Sequence, residues 1–350
     1  MDEKRNGMRI MAERPLNAET PIERLRPWIT ANAVFFNRNQ GEVLREPVDL
    51  ASWELVVDGE VAREMRFGFE RIVRMPKAIV ADTLECSGNG RSLLGEKAQG
   101  NPWTVGGVGN AIWGGVWLRD LLTMAGLKPE ARHVAFEGLE SPLGSKGVKF
   151  IRSIPIEKAM SSTLLAYEMN GEPLPPEHGH PLRALALGWT GANCVKWLKR
   201  ITVLDRPFEG FYMDQAYRVY QKGQEPKSGE VVTALKVKAI ITQPLAGERL
   251  PKGTVTVLGA AFAGEADIER VDVSTDGGAT WQPAEIIGPR IPYAWVQWQH
   301  VWSARETGPH VLLARATDST GRTQPQGGEW NVLGYGNNGI DDHAVTVEIM

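Results

Sequence analysis

A cysteine followed by a glycine-rich turn is the sharpest chemical feature of the sequence. Cys86 comes directly after the apolar run 78–84, and the turn 87–90 and Arg91 follow it. Backbone N–H groups of such a turn and a guanidinium favour the charged thiolate. A thiolate here is suited to be a nucleophile or a soft-metal ligand, although a packed core cysteine fits the same spacing. No second Cys or His lies at zinc-ligand spacing from it, which disfavours zinc.

A second cluster combines histidine, arginine and lysine within residues 177–198. His178, Arg183 and Lys196 are separated by glycines and a proline. Arginine offers paired hydrogen bonds and lysine a point charge, so the set suits a phosphate or pyrophosphate. A solvated loop with a structural histidine is the alternative. His178 and His180 alone are a weak metal site, because no third ligand is close in sequence.

A third cluster places polar donors after an aromatic pair. Residues 35–40 read Phe-Phe-Asn-Arg-Asn-Gln and include Arg38 and Asn39. Most of the 12 tryptophans are expected to pack in the core or between domains. Trp103 is a candidate exception, because it lies in the glycine-rich stretch 100–107 shortly after Cys86.

Strands and helices alternate irregularly around these clusters. Residues 53–61 and 78–84 have strand-like patterns, so Cys86 is expected at a strand end. Residues 115–126 have apolar side chains at helical spacing and end in a glycine, which predicts a short capped helix. The mixture favours an α+β fold over a doubly wound one.

The chain length of 350 residues favours about two domains. Three prolines within residues 1–30 predict an extended arm on the surface. After residue 230 the pattern changes to short strands, with a hairpin turn at 276–278. This pattern predicts a β-sandwich. The predicted units are the arm, a mixed catalytic domain and the sandwich, at 1–30, 31–230 and 231–350.

Composition excludes several classes of function. The chain has 42 acidic and 39 basic residues, a net charge of -3, which provides no broad cationic field for nucleic acid or anionic lipid. No apolar run approaches the roughly 18 residues of a membrane-spanning helix. The polar N-terminal residues show no secretory leader, and two cysteines form no disulfide framework. A cytoplasmic location is therefore expected, or a periplasmic one if a leader has been removed.

The order and spacing of the three clusters resemble the sulfite oxidase family of molybdenum enzymes over most of the chain. The resemblance rests on several short motifs: Phe36-x-Arg38-Asn39, Cys86-x-Gly88-Asn89-x-Arg91, Glu137-Gly138-Leu139-Glu140, Ala166 to Pro175, His178-Gly179-x-Pro181-x-Arg183, Gly191-Ala192-x-x-Val195-Lys196-Trp197-Leu198, and Trp330-Asn331-x-x-Gly334-x-x-Asn337. Each motif is weak alone, but their shared order makes coincidence improbable.

The resemblance implies a molybdenum–molybdopterin cofactor with Cys86 as the protein ligand of the metal. A soft thiolate on a redox metal agrees with the ligand preferences of such ions. The residues implied in holding the pterin and its phosphate are Arg38, Asn39, Glu140, His178, Arg183, Cys194, Val195 and Lys196. Those implied in an oxyanion pocket are Arg38, Arg91 and Tyr217, with Trp103 in its wall and Tyr220 as the alternative to Tyr217.

The implied activity is oxidation of sulfite to sulfate by oxygen-atom transfer. The sequence contains no Cys-x-x-Cys-His haem motif and leaves no room for a b5-type domain, so no haem is expected and a separate acceptor such as a cytochrome takes the electrons. Residues 235–350 resemble the family's immunoglobulin-like dimerisation domain, which implies that the β-sandwich has this fold and that the protein is a homodimer. That domain also separates the chain from the family's shorter methionine-sulfoxide reductases.

Four positions depart from the family pattern. Leu333 stands where the animal and plant sulfite oxidases have an arginine, Gly90 and Gln40 replace Arg and His, and Glu140 replaces Asp. Nitrate reductases of the family also lack the arginine at the Leu333 position. One alternative is therefore an enzyme with the same cofactor that acts on another oxyanion or a sulfoxide. A non-enzymatic immunoglobulin-type binding protein is a second alternative, but it leaves the Cys86 and His178 clusters unexplained.

Overall fold

Two units rich in β-strands follow each other along the chain. They are seen in a computed structural model that describes residues 7–44, 47–141 and 147–350. The strands of the first unit are β1 Arg9–Glu13, β2 Leu16–Glu19, β3 Glu54–Gly59, β4 Met65–Gly68, β5 Ala78–Glu85, β6 Val108–Trp117, β7 His133–Gly138, β8 Ile151–Pro155, β9 Thr163–Met169, β10 Glu172–Pro173, β11 Arg183–Ala186, β12 Leu198–Leu204, β13 Arg218–Val219 and β14 Glu230–Val231. Its α-helices are α1 Phe69–Val73, α2 Leu118–Ala125, α3 Ile156–Ser162 and α4 Phe211–Asp214.

The second unit consists almost entirely of strands. These are β15 Lys238–Gln243, β16 Arg249–Leu250, β17 Gly253–Phe262, β18 Ile268–Ser274, β19 Gln282–Pro283, β20 Glu285–Ile287, β21 Val296–Ala304, β22 Gly308–Asp318 and β23 Val345–Ile349. Short 3-10 helices occur along the whole chain, at Ile22–Leu25, Asn32–Val34, Arg91–Leu93, Pro176–His178, Gly191–Asn193, Pro226–Ser228 and Asp341–His343.

The first unit is built on two five-stranded sheets. One has the order β10-β9-β6-β5 with β11 also paired to β9, and the other has the order β4-β3-β12-β7-β8. Its largest core cluster joins buried side chains such as Leu55, Phe136 and Ile201 with those of α2. Strands and helices thus share one core, which confirms the α+β class.

Helix α2 has the predicted apolar face and the predicted end, but begins later than expected. Leu118, Leu121, Leu122 and Ala125 are all buried, and Gly126 ends the helix with a φ of 74°. Residues 115–117 belong to β6 instead. A Cβ on Gly115 would lie 2.2 Å from the Leu165 carbonyl oxygen, so this glycine permits close pairing with β9.

The second unit is the predicted β-sandwich. Its two sheets have the orders β15-β17-β21-β20 and β16-β23-β22-β18-β19. Their inward side chains, among them Val257, Trp298 and Leu312, form one core cluster. The turn 276–278 lies between the paired strands β18 and β19, as the sequence predicts.

The N-terminal segment differs from the surface arm that its prolines suggest. Strands β1 and β2 form a hairpin, and residues 17–20 are buried. Ala18 pairs with Asn37, which ties the hairpin to the segment that carries Arg38. Leu25 packs against side chains of the sandwich such as Phe262. Paired backbone and an apolar contact therefore overcome the local preference of proline for an exposed, extended chain.

Within the part of the chain that the structure describes, every helix is too short or too polar to cross a membrane.

Candidate active site

One pocket brings the three sequence clusters together. It is partly open to solvent. Side chains from the three clusters and from two further segments line it: Phe35, Phe36, Arg38, Gln40, Leu84, Cys86, Ser87, Glu140, Phe150, His178, Arg183, Gly191, Ala192, Cys194, Lys196 and Tyr217.

Cys86 lies at the end of β5, as expected, and its backbone is fixed on both sides. Its N–H donates to the Gly107 carbonyl at 2.8 Å, and its carbonyl accepts from the Asn89 N–H at 2.8 Å. Gly88 leaves room for the Arg91 guanidinium, because a Cβ there would lie 2.4 Å from the Arg91 side chain. The thiol therefore faces the pocket from a well-ordered turn.

The expectation that the Cys86 thiolate is favoured is wrong for the protein alone. Burial raises the pKa of this thiol above its usual value, and the charges of Arg38 and Arg91 and the Gly88 N–H offset only part of the effect. A bound metal cation supplies the missing stabilisation, since it deprotonates a coordinated thiol. The environment therefore suits a metal ligand better than a free nucleophile.

His178, Arg183 and Lys196, here called the basic set, converge on one wall of the pocket. Arg183 is the first residue of β11, and its guanidinium donates to the His178 carbonyl at 3.0 Å. Lys196 donates to the Glu177 carbonyl at 3.0 Å. Burial lowers the pKa of Arg183 to about 10, although Cys194 and Asp82 counteract it. Arg183 therefore remains cationic at neutral pH and lines the pocket.

Asn39 and Glu140 connect the basic set to Arg38. Lys196 donates a hydrogen bond to the Asn39 side-chain oxygen. Burial raises the pKa of Glu140, while the charges of Lys196 and Arg38 lower it in part. Cys194 also lines the pocket, and burial raises its pKa to about 12. It is therefore a neutral thiol at physiological pH.

Arg38 lies between the basic set and a group of tyrosines. Its guanidinium donates to the Asn17 side-chain oxygen at 3.2 Å and to the Asn39 carbonyl. The pKa of Arg38 is raised above its usual value. Burial alone would lower this pKa, but the combined interactions with Tyr217, Cys86 and two further tyrosines outweigh the effect of burial. Arg38 thus holds its positive charge in the same pocket as the Cys86 sulfur.

A second group of side chains consists of two stacked tyrosines and an arginine. It is called the aromatic set here and comprises Arg152, Tyr217 and Tyr335. The rings of Tyr217 and Tyr335 stack with centroids 5.4 Å apart and planes 9° apart. The Arg152 guanidinium lies 5.3 Å from the Tyr217 ring centroid, and the Arg91 guanidinium lies 5.3 Å from that of Tyr335. The two tyrosines are therefore held between two arginines by cation–π contacts.

Tyr217 presents its hydroxyl to the pocket with help from Gln40. The Gln40 amide donates to the Tyr217 oxygen at 2.6 Å. This bond occupies the oxygen as an acceptor and leaves the hydroxyl proton available to an anion. Tyr217 adopts a positive φ of 54°, an uncommon conformation for a tyrosine, which the surrounding contacts must maintain. Tyr220, the alternative, does not line the pocket.

Four predicted site residues stand behind the pocket lining. Arg91 is buried and donates to the carbonyls of Leu333 and Asn101, each at 2.7 Å. Trp103 is fully buried with its ring edge against Phe36 at 6.2 Å between centroids. The remaining two are Asn39, placed above, and Val195, whose side chain lies in the core of the first unit. Arg91 thus acts on the pocket through the turn that carries Cys86, and Trp103 acts on it through the ring of Phe36.

Sequence reasoning missed three residues at the site: Asn17, Arg152 and Tyr335. Asn17 accepts hydrogen bonds from Arg38 and from the Asn39 backbone N–H at 3.0 Å. Arg152 is the one charged residue of strand β8, and this pattern could have identified it from the sequence. Tyr335 lies within the motif 330–337, but nothing in the motif indicates that its ring reaches Tyr217.

His180 does not join His178 at the pocket. It lies instead in a neighbouring groove of about 390 Å³ that is lined by prolines and Trp197. Within residues 7–44, 47–141 and 147–350, no group of three or more His, Cys, Asp or Glu side chains is arranged to hold a metal ion.

The donor set fits a phosphate-bearing cofactor held beside Cys86. The Arg183 Nε atom is buried and has no hydrogen-bond partner among the described residues. Leaving such a donor unpaired is costly, so an anionic ligand in the pocket removes a penalty that the protein alone carries. A phosphate takes paired hydrogen bonds from arginine, and Lys196 adds charge. The class of site is therefore that of an anionic organic cofactor with an adjacent thiol ligand for a metal.

Comparison with known proteins agrees with this class. Residues 41–212 match the oxidoreductase molybdopterin binding domain family, and residues 229–348 match the Mo-co oxidoreductase dimerisation domain family. Sulfite oxidase of Gallus gallus is 35% identical over 94% of this chain and 75% of its own length. Nitrate reductase 2 of Phaseolus vulgaris is 33% identical over 95% of this chain and 41% of its own length.

A solved structure shares the whole architecture. The sulfane dehydrogenase SoxCD from Paracoccus pantotrophus superposes with a TM-score of 0.84 at 30% identity, covering 97% of this chain and 88% of the other. The chain belongs to the sulfite oxidase family of molybdopterin-dependent oxidoreductases. It is accordingly an oxidoreductase with a molybdenum–pterin cofactor, and the family resemblance seen in its sequence motifs is confirmed.

Proposed function

We propose that the protein oxidises sulfite to sulfate and passes the electrons to a separate acceptor such as a cytochrome. The overall reaction takes sulfite and water to sulfate, two protons and two electrons. When bound, the molybdenum–pterin group supplies the two-electron oxygen-atom transfer, while the protein binds and orients. The observation that carries the proposal is the partly buried side chain of Arg38, which lines the same pocket as Cys86. The sulfite oxidases among the relatives support it.

Cys86 is assigned as the protein ligand of molybdenum. The basic set holds the pterin and its phosphate together with Arg38, Asn39, Glu140, Cys194 and Val195. The Lys196 ammonium reaches this region already tethered to Asn39, and Arg183 offers an unpaired N–H. Because these donors are preorganised, little ordering is needed when the cofactor enters.

Arg38, Arg91 and Tyr217 are assigned to the substrate oxyanion. Arg38 provides charge-assisted hydrogen bonds in a site of reduced dielectric, where they are stronger than in water. Tyr217 adds a hydroxyl donor that Gln40 orients. Arg91 stabilises anionic charge near Cys86 from behind the turn, and Trp103 packs behind Phe36 to keep water out.

The test is anaerobic mixing of the purified, molybdenum-loaded enzyme with sulfite. We expect the visible thiolate-to-molybdenum charge-transfer band to bleach, because the substrate reduces the metal. An unchanged spectrum at millimolar sulfite rejects sulfite as the substrate. Catalytic turnover with ferricyanide and with cytochrome c then identifies the kind of acceptor.

A second candidate is an enzyme with the same cofactor that acts on another oxyanion or on a sulfoxide. The observation in its favour is Leu333, whose side chain packs against the aromatic set and places no charge there. Nitrate reductases among the relatives agree with it. Reoxidation of the dithionite-reduced enzyme by nitrate or by a sulfoxide, without bleaching of the oxidised enzyme by sulfite, selects this candidate.

We also propose a homodimer formed through residues 231–350, because this region matches the dimerisation domain family. Sedimentation analysis is expected to give twice the chain mass of 38.5 kDa. A mass of one chain at micromolar concentration contradicts this arrangement.

A further inference from the structure

A buried ion pair joins the two domains directly behind Cys86. Lys238, the first residue of β15, reaches across the boundary to Glu85, the last residue of β5. The side chains are only 1% and 7% exposed, so water screens their charges little. Glu85 immediately precedes Cys86 in the chain. The C-terminal domain thus places a cation beside the residue that leads into the metal ligand.

The Glu85 carboxylate also holds the turn that carries Cys86. The Asn89 side-chain amide donates to Glu85 at 2.9 Å, and the Asn89 side-chain oxygen accepts from the Gly107 N–H at 2.9 Å. The Asn89 N–H in turn donates to the Cys86 carbonyl. An unbroken chain of contacts therefore runs from Lys238 through Glu85 and Asn89 to the backbone of Cys86.

The same domain holds the turn from its other side. The Gly336 N–H donates to the Ser87 carbonyl at 2.9 Å, and the Asn337 amide donates to the Gly90 carbonyl at 2.9 Å. His343 also packs near Gly90, and burial, aided by Lys238, lowers its pKa to about 3. It is therefore neutral and adds no charge to that of the Glu85–Lys238 pair.

The charge of Glu85 lies next to the metal-binding position. Glu85 adjoins Cys86 in the chain and its side chain is buried, so water screens its negative charge little at this position. Loss of Lys238 alone leaves this negative charge uncompensated, and loss of Glu85 alone leaves a buried positive charge. In the wild-type protein the two charges thus compensate each other close to the metal-binding position.

We propose that Glu85 and Lys238 are a positioning pair through which the C-terminal domain sets both the placement of the Cys86 turn and the electrostatic environment of the metal. This inference rests on Cys86 being the molybdenum ligand. It does not depend on which substrate the enzyme oxidises, and neither residue touches substrate or cofactor.

The test compares Glu85→Gln, Lys238→Met and the double variant in the molybdenum-loaded enzyme. The readout is the molybdenum midpoint potential from a redox titration followed by the Mo(V) electron paramagnetic resonance signal. We expect Glu85→Gln to raise the potential, because a positive charge remains and favours the reduced metal. We expect Lys238→Met to lower it, and the double variant to return close to wild type.

Glu265→Gln is the matched control. Glu265 pairs with the buried Lys158 at 2.7 Å across the same domain boundary, but it is not adjacent to Cys86. We expect this variant to leave the potential unchanged, although it also removes an interdomain ion pair. If Glu85 and Lys238 have only a structural role, the midpoint potential either does not shift or shifts with the same sign in both single variants. Either result overturns the proposal.

If a single variant fails to fold, the double variant decides, because it contains no unpaired buried charge. We expect it to load molybdenum but to give a broader Mo(V) signal than Glu265→Gln, since the turn is held less firmly. A signal identical to wild type in position and width overturns the proposal. These readouts need bound metal but no turnover, so failure of sulfite oxidation and failure of this inference are distinguishable.

Discussion

The basic set lines the pocket directly, whereas the aromatic set reaches it through Tyr217, and the two sets come from the chain in different ways. His178, Arg183 and Lys196 lie within nineteen residues of each other, on a short turn, a strand start and the loop before β12. Arg152, Tyr217 and Tyr335 come from β8, from the segment after α4 and from the C-terminal domain. A contiguous segment thus forms the proposed cofactor wall, while packing between distant segments forms the proposed substrate wall.

This difference indicates which residues of the site can be substituted without loss of the cofactor. The cofactor wall must match one phosphate and one pterin, and its donors are backbone-tethered. The substrate wall is packed by Leu333, which stands where the animal and plant sulfite oxidases have an arginine. Variation in the aromatic set therefore changes substrate recognition without disturbing the cofactor, and the following predictions test that separation.

The largest effect is expected from Arg38→Met. Removal of the guanidinium takes a charge-assisted donor from the substrate, so kcat/KM for sulfite should fall on the order of 10²–10³-fold. Molybdenum content should fall far less than kcat/KM, because the basic set still holds the cofactor. Arg200→Met is the control, since Arg200 pairs with Asp58 on the surface side of β12 and should leave kinetics unchanged. Equal losses in both variants contradict the assignment.

Arg183→Met is expected to act on the cofactor and not on the substrate. Loss of the paired donor should weaken pterin retention by roughly 10–100-fold, as loss of a supporting contact does at metal sites. Pterin and molybdenum per chain after extended dialysis measure this, with turnover expressed per bound molybdenum.

Arg315→Met is the control for Arg183→Met. It removes the ion pair between Arg315 and Asp272, which lies within the C-terminal domain. If Arg183→Met does not fold, Lys196→Met repeats the experiment at the less enclosed end of the basic set. Full retention of cofactor combined with a raised KM for sulfite shows that the basic set belongs to the substrate instead.

Tyr217→Phe is expected to reduce kcat/KM about 10-fold, the usual cost of losing one hydrogen bond to an anion. The phenyl ring keeps the stack on Tyr335, so the melting temperature should change little. Tyr220→Phe should have no effect, because that side chain does not line the pocket. The reverse pattern assigns the role to Tyr220.

The smallest effect is expected from Leu333→Arg. A new cation beside the aromatic set should lower the KM for sulfite a few-fold, in keeping with a partly solvated ion pair of about 1 kcal/mol or less. Leu333→Met controls for packing alone. An unchanged KM for sulfite, with an altered KM for nitrate or a sulfoxide, favours the second candidate function.

The parts of the fold that could be predicted from the sequence are those with local causes. Strand β5, the end of α2 at Gly126 and the turn at 276–278 follow from apolar spacing and glycine positions. The basic set was predicted for the same reason, because its residues are close in sequence. Each of these features depends on interactions within a few residues.

The features that sequence reasoning missed depend on contacts between distant residues. The burial of Asn17 requires the hairpin to pair with the segment near Arg38, and the stacking of Tyr335 on Tyr217 requires the two domains to meet. The raised pKa of Cys86 has the same origin, since burial by several elements outweighs the local turn. Such effects have no short motif, so only the assembled structure shows them.

X-ray absorption at the molybdenum edge of the wild-type enzyme and of Cys86→Ser tests the central claim most directly. If the Cys86 sulfur is bonded to molybdenum, the variant retains the pterin but has one sulfur neighbour fewer around the metal. Identical sulfur coordination in the two proteins, at equal molybdenum content, contradicts the account.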